Sequence, residues 1–85
     1  MNNRKRKDDA LFRKTKKQAI ERDNGLCVMC GRVASDVHHI INRSQLGTSE
    51  LNNLACLCRA HHEEAHGVNA KQVREKLKEI IYEKD

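Results

Sequence analysis

Eighty-five residues, 38% of them hydrophobic and with Phe12 and Tyr82 the only aromatics, make one domain with a thin core, which excludes a large enzyme scaffold and calls for a staple. No apolar run approaches the roughly 20 residues that span a bilayer, and no apolar signal core follows Met1, so the chain is expected to be soluble and cytoplasmic, with no membrane partner. The net charge of +5 is concentrated: residues 1–17 hold eight Lys or Arg against Asp8 and Asp9, while the other nine basic and ten acidic side chains nearly balance.

Residues 1–9 read as a basic flexible arm, in which Arg4, Lys5, Arg6 and Lys7 are candidates for binding nucleic acid. Each phosphate such an arm neutralises releases condensed counterions; a charge run alone is equally a solubilising tail. The shortage of aromatics leaves no stacking platform for single strands. Residues 10–85 then form a single domain. Asp9 caps a helix to about Arg22, with Phe12, Ala19 and Ile20 on its buried side, and Asp23-Asn24-Gly25 ends it. Cys27-Val-Met-Cys30-Gly31 has the form of a metal knuckle. Val37 to Ile41 is a β-branched strand, Asn42 to Asn53 a loop, and Leu54 to Leu57 a second strand. A helix over Arg59 to His66 is stopped by Gly67. Asn69 opens the last helix, whose Val73, Leu77, Ile80 and Ile81 form an amphipathic stripe suited to a core lid.

All five histidines and all four cysteines lie between Cys27 and His66, a density that core packing does not require. A basic chain with no signal core belongs where thiols stay reduced, so metal is preferred to disulfides. Adjacent helical residues point about 100° apart, whereas residues three or four apart share a face. Cys58 therefore pairs with His61, and His62 with His66. Cys27, Cys30, Cys58 and His61 then make the four ligands of a closed structural zinc. The other partition, Cys58 with His62, leaves His61 and His66 five apart and poorly matched. Cys56 is a substitute ligand or, more simply, a small buried hydrophobe. His62, His66 and one of His38 and His39 make a three-nitrogen site of the open, catalytic kind, because a strand points His38 and His39 to opposite sides. The remaining imidazole is a base with a pKa near neutrality. A single zinc with surplus surface histidines is the alternative.

Taken together, Cys27 to Gly31, Asp36-Val-His38-His39-Ile40, Leu51-Asn-Asn53-Leu54 and Leu57-Cys58-Arg59-Ala-His61-His62-Glu-Glu-Ala-His66 resemble the HNH endonucleases over residues 27–66. The resemblance implies an α+β fold: a small zinc-stapled ββα-metal (His-Me finger) domain, as in the colicin nucleases, here with flanking N- and C-terminal helices. It implies that His38, His62 and His66 hold a divalent ion, that His39 is the general base, and that Asn53, rather than Asn52, fixes the loop and orients His39. The family often has Cys where His61 stands, and often two glycines near Leu46-Gly47, where one remains. Asp36, two residues before His38, is expected to orient an imidazole. A compact chain of this kind is similar to phage-encoded members.

The implied chemistry is hydrolysis of DNA phosphodiester bonds, with His39 taking a proton from water and one ion acting as Lewis acid. Three imidazoles favour Zn, Ni, Co or Mn over Mg on ligand softness. Arg43 and Arg59 are placed to grip flanking phosphates of double-stranded DNA. A packaging or accessory nuclease protein is a further expected partner. Two other classes compete: a zinc-stabilised nucleic-acid-binding accessory module without catalysis, and a zinc adaptor between proteins. The adaptor leaves the basic arm and His62/His66 unexplained.

Overall fold

The computed structural model describes the backbone of residues 3–84 and the side chains of residues 7–84. Its elements are α1 (Asn3–Asp23), β1 (Asp36–His39), β2 (Leu54–Leu57), α2 (Arg59–Ala65) and α3 (Ala70–Lys84). The knuckle joins α1 to β1, and a loop with two short 3-10 turns joins the strands. The result is α+β: an antiparallel hairpin followed by a helix, with one helix before it and one after. No helix among the described residues is long and apolar enough to cross a membrane.

The strands pair with Asp36 opposite Leu57, Val37 opposite Cys56, His38 opposite Ala55 and His39 opposite Leu54. Cross-strand neighbours share a face, so Asp36, His38, Ala55 and Leu57 lie on one side and Val37, His39, Leu54 and Cys56 on the other. β2 is buried along its length. Ala55 and Leu57 join Ala65 of α2 and Val73, Leu77 and Ile81 of α3 in the core. Cys56 lies against α1, its Sγ 3.7 Å from the Ala19 carbonyl. Burial of Val73, Leu77 and Ile81, worth roughly 2 kcal/mol each, makes α3 the lid its stripe predicts; Ile80 is half-buried at the margin.

Two expectations for the N-terminal region need correction. The helix begins at Asn3, so residues 3–9 are helical and Asp9 lies within α1 instead of capping it. Nothing in this stretch breaks a helix, and Asp8 and Asp9 are tied to the long loop through Ser49 and Arg43. Among the described side chains, the buried positions of α1 are Thr15, Ala19 and Asp23, four apart on one face, while Ile20 is exposed and Phe12 half-buried. This face docks by hydrogen bonds: Thr15 Oγ1 donates to Ser49 O at 2.6 Å, and Asp23 accepts the Cys56 N–H at 3.2 Å. A largely polar interface leaves little hydrophobic period, so of the three apolar residues expected on this side only Ala19 is fully buried.

Boundaries elsewhere shift by one or two residues. α1 ends where Gly25, in the left-handed region at φ 68°, returns its N–H to Ile20 O at 2.9 Å. β1 stops at His39 instead of Ile41, because beyond it Asn53 takes over the pairing: its carbonyl accepts the Ile40 N–H at 2.8 Å. α2 ends at Ala65, with His66 as its cap.

Candidate functional site

The knuckle is a tight hairpin closed by Gly31 N–H on Cys27 O (2.8 Å) and Cys27 N–H on Arg32 O (2.6 Å), with Gly31 at φ 79°. It brings Cys27 and Cys30 to Cys58, the residue just before α2, and to His61 one turn on. Their four ligand atoms lie within 4.8 Å of one another. Cys30 Sγ is 3.7 Å from Cys58 Sγ, and His61 Nδ1 is 3.6 Å from Cys27 Sγ and 3.3 Å from Cys58 Sγ. A tetrahedral zinc with ordinary bond lengths spaces two sulfurs about 3.8 Å apart and a sulfur and a nitrogen about 3.6 Å apart. The donor set and its edges therefore fit that ion. The His61 backbone N–H outweighs burial and draws the Cys58 thiol down to about 6, toward the thiolate a metal requires. Cys56 stands apart: it faces α1, and burial pushes its thiol up to about 11. None of the four cysteines is in a disulfide.

On the α2 side of the hairpin, His38 meets His62 and His66. Ring centroids are 5.4 Å apart for His38–His62, 5.3 Å for His38–His66 and 4.9 Å for His62–His66. His62 Nε2 and His66 Nε2 are 3.3 Å apart, and two nitrogens on one tetrahedral zinc are spaced about 3.3 Å. Asp36, on the same face of β1 as His38, sets its Oδ2 3.2 Å from His62 Nδ1. That contact leaves Nε2 of His62 turned to the cluster. Burial, then the neighbouring His62 and His66, takes His38 down to about 4, so it is neutral and able to act as a ligand at neutral pH. A short helix and its cap thus serve both clusters, His61 one and His62 with His66 the other.

His39 points to the opposite side, against α1, with its ring centroid 4.8 Å from that of Phe12. It is half-buried and stays out of both clusters. Burial and then Arg43 lower its pKa, with Asp8 opposing. Its Nε2 lies 2.9 Å from Ser49 Oγ. Ser49 in turn gives its N–H to Asp8 Oδ1 (2.7 Å) and its hydroxyl to Asp8 Oδ2 (2.8 Å). Arg43 donates to Ser49 Oγ at 3.2 Å and pairs with Asp8 and Asp9 at 3.1 and 3.0 Å. Arg43 is thus committed to α1 instead of standing free for a phosphate.

Asn53 is buried and closes the loop: Oδ1 accepts the Ile41 N–H at 2.9 Å, and Nδ2 donates to Ile41 O at 3.1 Å and Thr48 O at 2.7 Å. These bonds do not reach His39. Asn53 holds the backbone beside Ser49, and Ser49 touches the ring, so orientation passes through one more residue than expected. Gly47 lies where the loop returns to the end of the strand; a Cβ there would sit 1.8 Å from Ile41 O, which only glycine avoids. Leu46, beside it, adopts the left-handed region at φ 66°. Arg59 is exposed and pairs with Glu63 at 3.5 Å, and Lys7 is exposed. The side chains of Arg4, Lys5 and Arg6 lie outside the described residues.

Sequence reasoning missed Ser49, Asp8 and Thr15. Ser49 stood in a run of loop residues, and Asp8 was a minor charge in a basic stretch; neither carries a spacing that marks it. Residues 27–67 match the family described as HNH endonuclease. No curated protein matches the chain.

Proposed function

Residues 27–67 belong to the HNH endonuclease family, and from that premise we propose that the chain is a metal-dependent endonuclease that hydrolyses DNA phosphodiester bonds. The observation that carries this reading is the division of labour at two adjacent residues of β1. His38 turns to a three-imidazole cluster with His62 and His66, and His39 turns away from it, unligated and braced by Ser49. A binding module needs the first arrangement at most; hydrolysis needs both.

In this reading His38, His62 and His66 hold one divalent ion, with Zn, Ni, Co and Mn favoured over Mg by the nitrogen ligands. Such an ion supplies Lewis-acid relief for charge on the nonbridging and leaving oxygens. His39 removes a proton from the water that attacks phosphorus. Asp36 holds the His62 ring, and Asn53 holds the loop that carries Ser49. Cys27, Cys30, Cys58 and His61 bind a structural zinc that fixes the start of α2. Arg59 and the basic residues of α1 contact phosphates without reading sequence.

Nicking of supercoiled plasmid in the presence of Mn or Ni tests the proposal. His39→Ala is expected to keep fold and DNA affinity and to lower the nicking rate at least about a hundredfold, the scale of general-base catalysis. Wild-type protein that binds duplex DNA but nicks nothing with any divalent ion would leave the accessory binding module as the function.

A further inference from the structure

The Ser49 hydroxyl is fully buried and has three polar neighbours: Asp8 Oδ2 at 2.8 Å, His39 Nε2 at 2.9 Å and Arg43 Nη2 at 3.2 Å. It offers one proton and two lone pairs. The Asp8 carboxylate can only accept, so it takes the proton. The Arg43 guanidinium can only donate, so it occupies one lone pair. The remaining lone pair faces His39, whose Nε2 must therefore donate. Neutral His39 then carries its hydrogen on Nε2 and keeps Nδ1 as its basic nitrogen, which has no hydrogen-bond partner among the described residues. Ser49 itself is gripped by α1 through its N–H and hydroxyl on Asp8 and through its carbonyl, which accepts from Thr15.

We propose that Asp8 and Ser49 are positioning residues for His39, so that α1, which lies outside the matched residues 27–67, completes the nuclease site by fixing the tautomer of its base. The inference rests on the nuclease reading of His39 for its catalytic consequence, and on hydrogen-bond accounting alone for the tautomer. Arg43 is a second brace, tying Ser49 to Asp8 and Asp9.

Asp8→Asn separates positioning from packing because it is isosteric. The new amide oxygen can still accept the Ser49 N–H, but its NH2 donates to Ser49 Oγ. The Ser49 proton must then turn to His39 Nε2, which drives the imidazole hydrogen to Nδ1. Nitrogen-15 shifts of the His39 ring in the full-length, zinc-loaded chain should show Nε2–H in the wild type and Nδ1–H in Asp8→Asn. With Mn, Asp8→Asn should nick plasmid about a hundredfold more slowly in kcat, with DNA affinity and metal content unchanged. Asp8→Glu, which restores an acceptor, should recover most of that loss and the Nε2–H form. Nε2–H persisting in Asp8→Asn, or a wild-type nicking rate in that variant, overturns the assignment. If the wild type nicks nothing, the nuclease reading fails separately and the ring shifts alone judge the Asp8–Ser49 brace.

Discussion

Asp23 sits at the end of α1 with a side chain that solvent does not reach, yet it is ionised. Burial alone would raise its pKa; hydrogen bonds from Arg22 (2.8 Å) and Lys84 (2.8 Å), with the Cys56 N–H, outweigh burial and hold it at about 2. The group joins α1, β2 and the end of α3, so it closes the molecule behind the site. Removing one member of a buried ion pair costs about 3 kcal/mol, and Asp23→Asn is expected to destabilise by about that amount at pH 7 in denaturant titration. The folded pKa lies below the ordinary 3.8, so the unfolded chain takes up the proton first. The Asp23 contribution is therefore complete above pH 3.8 and lost as pH falls toward about 2. Every other titrating group is common to both proteins, so the gap between wild type and Asp23→Asn isolates this residue. A gap that holds constant from pH 5 to about 2 would contradict the assignment.

At the scale of elements, α1 has two faces with separate tasks. Asp8, Thr15, Ala19 and Asp23 face the strands and loop, while Arg13, Lys14 and Lys17 are exposed on the other side. An exposed basic row on the helix that braces His39 is suited to hold a duplex near the site without reading its sequence. Replacing Arg13, Lys14 and Lys17 together by Gln should weaken duplex binding at every sequence to a similar degree. The slope of log affinity against log salt should become shallower by about 0.9 for each phosphate contact removed. Fluorescence anisotropy across a salt series measures both; an unchanged slope would place the DNA elsewhere. α2 contrasts with α1: it is seven residues long and buries only Ala65, too little to hold a helix by packing. In the proposed reading, metal held by the residues at its start and along its face fixes its position.

In the proposed reading, the whole molecule is then a coupled pair of metal stations. The Cys27, Cys30, Cys58 and His61 cluster joins the knuckle to the start of α2, and His62 on that helix and His66 at its cap meet His38 in the second cluster. Metal binding to the first station is then largely folding free energy. Elemental analysis should find two ions per chain in the wild type. Cys27→Ser or Cys58→Ser should lose both ions and the cooperative thermal transition, whereas His66→Ala should lose one ion and keep the transition. A cysteine variant that retains one ion and its melting temperature would show that the stations are independent.

Much of this was legible in the residues alone. The two ligand sets follow from local geometry: Cys58 with His61 and His62 with His66 are one turn apart, and a strand must send His38 and His39 to opposite sides whatever surrounds it. The α3 stripe was equally plain, because apolar burial leaves a period. Which side of the strand each histidine takes depends on the register of β1 against β2, which pairing fixes and spacing does not. The brace behind His39 was hidden for the same reason. Asp8 and Ser49 are 41 residues apart, and Thr15 and Ser49 34 apart, and they meet only when α1 docks. That docking runs through hydrogen bonds, which require particular atoms to converge and leave no periodic trace along the chain. Short-range spacing therefore determined what can bind metal; chain packing alone decided which nitrogen of His39 is left free.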